Sequence, residues 1–173
     1  MDAGVVYGQT RRAITPDVTA GELHDLLAAD GPALVLRVLE EHAAGTLAPV
    51  IQDEALVTLA GKLSKADGWI DFAHGAEACR RRVHGLTPWP GVTVRFREEA
   101  VKVLRVAAAP NAARGAAAGA IVDAGAGVVA CGEGPGLALL RVQPAGGRAM
   151  AWEEFARGRR PMVGESFVGG APT

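Results

Sequence analysis

The chain has 173 residues, 49% of them hydrophobic, 21% charged and only 5% aromatic. This is globular composition, which excludes a disordered or fibrous chain and leaves the core to Ala, Val and Leu. The net charge of −1 hides an asymmetry: residues 1–60 carry three basic and nine acidic residues, residues 61–173 fifteen basic and ten acidic, so the second region suits a polyanion or a solvated basic face.

Two cysteines, Cys79 and Cys131, are far apart in sequence, and no Cys/His cluster has metal-ligand spacing. No metal is expected, and both thiols read as small buried groups in a reducing compartment. The start, Met1-Asp2-Ala3-Gly4, has no basic stretch followed by an apolar run. No segment approaches the roughly 18 apolar residues of a membrane-spanning helix. The expected location is the cytoplasm.

Val5 to Ile14 reads as a short strand, and Thr15 to Thr19 as a turn. Thr19 with Glu22 is a capping-box pattern. Leu23, Leu26, Leu27, Leu34, Val35, Val38 and Leu39 then recur at helical spacing, with Gly31-Pro32 as a break point for one helix or two. Residues 46–68 lack a sustained period and read as an extended linker. Ala76 to His84 is a short basic helix with Ala76, Cys79 and Val83 on one side. From Val92 the period becomes two, in Val92 to Phe96 and Val101 to Val106. Gly119 to Asp123, Gly127 to Cys131 and Leu137 to Val142 are three further strands, residues 107–120 a loop, and Met150 to Arg157 a final helix. Five short strands with Gly-rich turns suggest a small barrel, with an OB-type barrel as one candidate. Glu98-Glu99 marks a solvent-facing hairpin tip, and Arg95 and Arg97 fall on one strand face.

Leu86-Thr87-Pro88-Trp89-Pro90-Gly91 stands between the basic helix and the first strand. Proline fixes φ and disfavours a helical residue before it, so Pro88 should stop the helix. Trp89 should anchor the turn into the barrel, and Gly91 should let the backbone swing into the strand. For Pro88, Trp89, Pro90 and Gly91 the expected role is structural.

"KLSKADGWIDF" (Lys62 to Phe72), "LTPWPG" and "QPAGGRAM" (Gln143 to Met150) follow one another in order, preceded by "DVTAGELHDLLA" (Asp17 to Ala28) and "QDEALVTLAGK" (Gln52 to Lys62). This ordered set resembles the linker and C-terminal domain of methionyl-tRNA formyltransferases. Phe72 stands where that family usually has Trp, and Thr87 where it usually has Asn. The resemblance implies an α+β chain. Residues 1–45 would be a remnant strand and helix of an α/β formyltransferase domain, 46–68 a linker, and 69–173 a small OB-like β-barrel with short helices. It implies formyl transfer from the co-substrate 10-formyltetrahydrofolate to initiator methionyl-tRNA in translation initiation.

The family's catalytic set is an Asn-x-His pair and a later Asp in a Leu-Asp-Thr-Gly segment. This sequence has no Asn-x-His, and its single asparagine is Asn111. A gapless register to Ile14 puts Asp2 at the aspartate position; a rival register needs a deletion and puts Val6 there. In the reaction an amine attacks a formyl carbon, so an oxyanion must be stabilised and a proton moved. Asn and His donors suit the first task and a His–Asp pair the second. Losing one oxyanion donor typically costs about 100- to 1,000-fold in rate. The expectation is therefore that this polypeptide alone neither binds 10-formyltetrahydrofolate nor transfers formyl groups. His24, His42, His74 and His84 lack a partner at triad or ligand spacing and read as helix-surface or partly buried residues; His84, near a helix end, would gain from the helix dipole if charged.

Lys62, Lys65, Arg80, Arg81, Arg82, Arg95 and Arg97 are the candidate RNA-binding residues, within a charge concentration that continues to Lys102 and Arg105. In the resembled family the KLSK segment lies where the tRNA acceptor arm passes. Recognition of A-form RNA needs cations aimed at phosphates and little base reading. Scarce aromatics argue against binding by stacking.

Three functions stay open: the C-terminal half of a methionyl-tRNA formyltransferase, whether truncated, read from a misplaced start or split; a stand-alone, non-catalytic RNA-binding module; and part of a sugar-nucleotide formyltransferase, which the "TPWPG" and "QPAGGRAM" motifs disfavour. The apolar stripe of residues 1–45 is expected to dock on the barrel, to meet a separate N-terminal chain, to self-associate or to stay disordered.

Overall fold

The computed structural model describes residues 3–110, 115–132 and 134–170. They form two units, Met1–Lys62 and Leu63–Thr173. Asp2, the expected catalytic residue, and Asn111 lie outside the described residues.

In the first unit, the Thr19 hydroxyl accepts the Glu22 N–H at 3.3 Å while the Glu22 carboxylate accepts the Thr19 N–H at 2.9 Å. This capping box satisfies donors that helix geometry leaves unpaired. It starts helix α1, Ala20–Ala43, which runs unbroken through Pro32. A proline there removes one backbone donor and costs about 3 kcal/mol, which the continuous ladder on either side absorbs.

Val5 to Ile14 is not a strand. Its one ladder contact is the antiparallel bridge between Val6 and Val50, with both N–H···O distances 2.9 Å. Among the described residues no further strand lies beside it to extend the pairing. The segment crosses α1 closely: a Cβ on Gly8 would stand 2.9 Å from both Leu34 and Val38. Arg12 pairs with Asp30 of α1. No residue of α1 is buried, and Leu26, Leu27, Val35, Leu36 and Leu39 are exposed.

The second unit holds the core. Helix α2, Ala76–Gly85, buries Ala76, Cys79, Val83 and His84. Strands β1 (Val92–Phe96), β2 (Glu99–Ala109), β3 (Ile121–Asp123), β4 (Val128–Val129), β5 (Gly136–Pro144), β6 (Met150–Ala151) and β7 (Phe167–Val168) build one seven-stranded sheet, with helix α3, Trp152–Arg159, between β6 and β7. Every pairing is antiparallel, in the order β3-β4-β5-β2-β1-β7, with β6 beside β5. The two ends of that path meet through a bridge between Ala120 and Ser166, flanked by Ile121 N–H to Glu165 O at 2.7 Å and Phe167 N–H to Gly119 O at 2.9 Å.

Alternation works here because one face has a core to fill. Val92, Val94 and Phe96 of β1 point inward, and Thr93 and Arg95 outward. Phe96, Trp152, Phe155 and Phe167 cluster, with ring centroids 4.8 Å apart for the stacked Phe96–Phe167 pair. Gly127, at φ +70°, lies against the Trp152 ring, where any Cβ would come within 2.5 Å. That close approach leaves the Trp152 indole N–H to donate to Ala124 O at 2.9 Å.

Several expectations are corrected. Ala107 to Ala109, read as loop, belong to β2 because β5 offers Gly136, Leu137 and Ala138 as partners. Met150-Ala151, read as helix, pair with β5, and the helix starts at Trp152. Arg97 does not share a face with Arg95: β1 ends at Phe96, and Arg97 occupies the turn at φ +52°. Glu98 is exposed in the β1–β2 turn as expected, whereas Glu99 already opens β2 and accepts two hydrogen bonds from Arg159 at 2.7 Å.

Candidate nucleic-acid interface

Lys65 to Trp69 build one wall of a cleft. Ser64 donates its backbone N–H and its hydroxyl to Asp67 at 2.7 and 2.9 Å, which closes a turn and holds the Asp67 carboxyl below the usual carboxylate range. Gly68 then passes so close to Gly91 that a Cβ would lie 2.4 Å from the Gly91 carbonyl. Its own carbonyl accepts the Thr93 N–H at 3.0 Å. Only glycine permits that approach, and it fixes the Lys65 turn against the start of β1. Ile70 and Phe72 enter the core.

The opposite wall is "LTPWPG". The Thr87 hydroxyl donates to Val83 O at 2.8 Å at the end of α2, and the Gly91 N–H returns to Leu86 O at 2.8 Å. The Thr87–Pro88 and Trp89–Pro90 bonds are both cis, and Gly91 has φ +80°. Leu86 is the residue that enters the core; Trp89, expected to be that anchor, is 54% exposed. Two flanking prolines restrict the backbone so that the indole is presented outward instead.

Between these walls lies a cleft of about 520 Å³, lined by Lys65, Trp69, Trp89, Pro90, Thr93 and Lys102, with backbone from Gly68, Gly91 and Gly170. Among the described residues no carboxylate lines it. Thr93, Lys102 and Gln143 stand in one row across β1, β2 and β5, and Arg95 is one step along β1 on the same outward face. Lys65, Arg95 and Lys102 have no ion-pair partner among the described residues.

The other expected arginines are engaged within the chain. Arg80 and Arg81 both pair with Glu77 at 2.7 Å and push its carboxyl down to about 2. Arg82 donates to the Trp69 and Asp67 carbonyls and lies 4.3 Å over the Trp69 ring. Arg97 pairs with Glu165 at 2.8 Å and also donates to Arg159 O at 3.1 Å. Lys62 is exposed at the end of the first unit. The structure thus brings Lys65 together with Lys102, which alternation in β2 pointed to, and with an aromatic surface that composition did not show. No group of three or more His, Cys, Asp or Glu able to hold a metal occurs among the described residues.

A family model, "Formyl transferase, C-terminal domain", matches residues 62–160, which contain both walls of the cleft and most of the sheet. The chain belongs to that family. It is also similar to methionyl-tRNA formyltransferases of Carboxydothermus hydrogenoformans, 36% identical over 96% of this chain and 54% of the relative, and of Halorhodospira halophila, 38% identical over 95% and 53%. The relative in Delftia acidovorans is 41% identical over 91% of this chain and 50% of its own length. The chain spans about half the length of these curated relatives. The α+β architecture and the resemblance read from the motifs both hold for this C-terminal formyl transferase domain.

Proposed function

We propose that this chain is the RNA-holding part of a methionyl-tRNA formyltransferase, with its second unit an OB-type barrel that grips initiator methionyl-tRNA. One observation carries this reading: Lys65, Lys102 and Arg95, without ion-pair partners among the described residues, share the outward face of a formyl transferase C-terminal domain, and no described acidic residue lines the cleft of Lys65 and Lys102. Such cations neutralise phosphates, the main source of affinity for a nucleic-acid backbone. Lys62, in the same KLSK motif, adds a further exposed charge. Arg80, Arg81, Arg82 and Arg97 are, on this reading, supports for the surface rather than phosphate ligands.

Formyl transfer from 10-formyltetrahydrofolate needs oxyanion donors and a proton acceptor. The 173 residues contain no Asn-x-His pair, so they are proposed to hold RNA without performing the transfer. The exposed Leu26, Leu36 and Leu39 stripe of α1 supports contact with further polypeptide, whether a separate chain or a second copy. A role in translation initiation would place the protein in the cytoplasm.

The test is binding of an initiator tRNA transcript at several salt concentrations. Affinity should fall linearly on a log–log plot. Lys65→Gln with Lys102→Gln should flatten the slope by about 0.7 to 0.9 for each phosphate that is no longer neutralised. Binding that ignores salt, or a slope unchanged in the double variant, would refute the reading.

A further inference from the structure

We infer that the cleft between Trp69 and Trp89 is a seat for one unpaired nucleotide of the bound RNA, its base stacked on the Trp89 indole and its phosphate held by Lys65 and Lys102. This rests on the reading that the basic face binds RNA, and adds a chemical specificity: a preference for an unstacked base over continuous duplex.

The three tryptophans of the chain are used differently. Trp152 is buried at 2% exposure, with its N–H satisfied inside the core. Trp69 is covered by the Arg82 guanidinium. Trp89 alone presents a half-exposed ring, between two prolines that limit the entropy lost when a partner stacks on it. Leaving an indole in water costs hydrophobic free energy, which a planar partner would recover.

The chemistry around that ring is a nucleotide's. About 520 Å³ is within the usual range of small-ligand clefts, roughly 300 to 1,000 Å³. Two ammonium groups and, among the described residues, no carboxylate favour an anion beside the ring. The Thr93 hydroxyl and the Gly68, Gly91 and Gly170 backbone offer polar atoms without committing to one base. Stacking of this kind tolerates any base. A blunt duplex buries its base faces and can offer the cleft only phosphates.

The full chain is titrated with a blunt RNA duplex, with the same duplex carrying a single-stranded extension, and with adenosine monophosphate, following affinity and tryptophan emission. The extended duplex should bind more tightly and quench emission. Trp89→Ala should weaken it roughly 5- to 100-fold, the range for removal of one stacked base. The blunt duplex and its salt slope should be unaffected. Trp89→Phe keeps a ring, so affinity should persist while the quench disappears; this variant decides the matter if the alanine variant folds poorly. Equal binding of both duplexes, or no quench, overturns the nucleotide seat and leaves the basic-face reading standing. Quenching by the mononucleotide with no preference for the extension also overturns it, in favour of a free-nucleotide site. Absence of salt-dependent binding to either duplex removes both readings.

Discussion

His84 is buried at the end of α2, and its ring Nε2 accepts the Val106 backbone N–H at 3.2 Å. It ties helix to sheet, where the sequence pointed to a helix-dipole contact. His84→Leu fills similar space but leaves a buried donor unpaired, and is expected to lower stability by about 1 to 3 kcal/mol, read by urea unfolding. The thiols behave as their residue type suggested. Cys79 donates to Asp71 O at 3.3 Å, and the hydrogen bond with Cys79, together with burial, pushes the Cys131 thiol up. Residue type was a sound guide for these cysteines, whose thiols suit an apolar site. It failed for Trp89, because exposure depends on which neighbour reaches the core first, and Leu86 does.

At the scale of elements, α2 shows how charge read from sequence can mislead. Arg80 and Arg81 look like a basic surface, yet Glu77, one turn earlier, holds both. The Glu77 carboxyl at about 2 lies below its ordinary value, roughly 4.3, so the folded state favours its charged form. The stabilisation is complete above that ordinary value and is lost as pH falls towards 2. Thermal melts from pH 7 to 2 should show Glu77→Gln less stable than the parent at neutral pH, with the gap closing between about pH 5 and 2. Because Glu77 is half exposed, the gap should be small and shrink further in high salt. The capping box of α1 and the alternation of β1 were legible in the sequence because each is local. The short strands β6 and β7 were not, since two residues carry no period and exist only where a partner strand passes.

Across the whole molecule, the buried cluster runs from Ile70 to Phe167 and lies entirely in the second unit. The first unit buries a single polar residue, Thr19, among those described. Residues 63–173 expressed alone should therefore unfold cooperatively with a midpoint within a few degrees of the intact chain, measured by calorimetry; disappearance of the transition would mean that residues 1–62 contribute to the core. By itself the sequence determined the family, the N-terminal cap of α1 and the inward and outward faces of the long strands, since ordered motifs and short-range periodicity are properties of neighbours along the chain. Only the tertiary structure decided which cations are spent on internal partners and which remain for a ligand. Ion pairs such as Arg97–Glu165 and Arg159–Glu99 join residues more than fifty positions apart. The Lys65–Lys102 cleft likewise exists only because Gly68 lets a distant turn close onto β1.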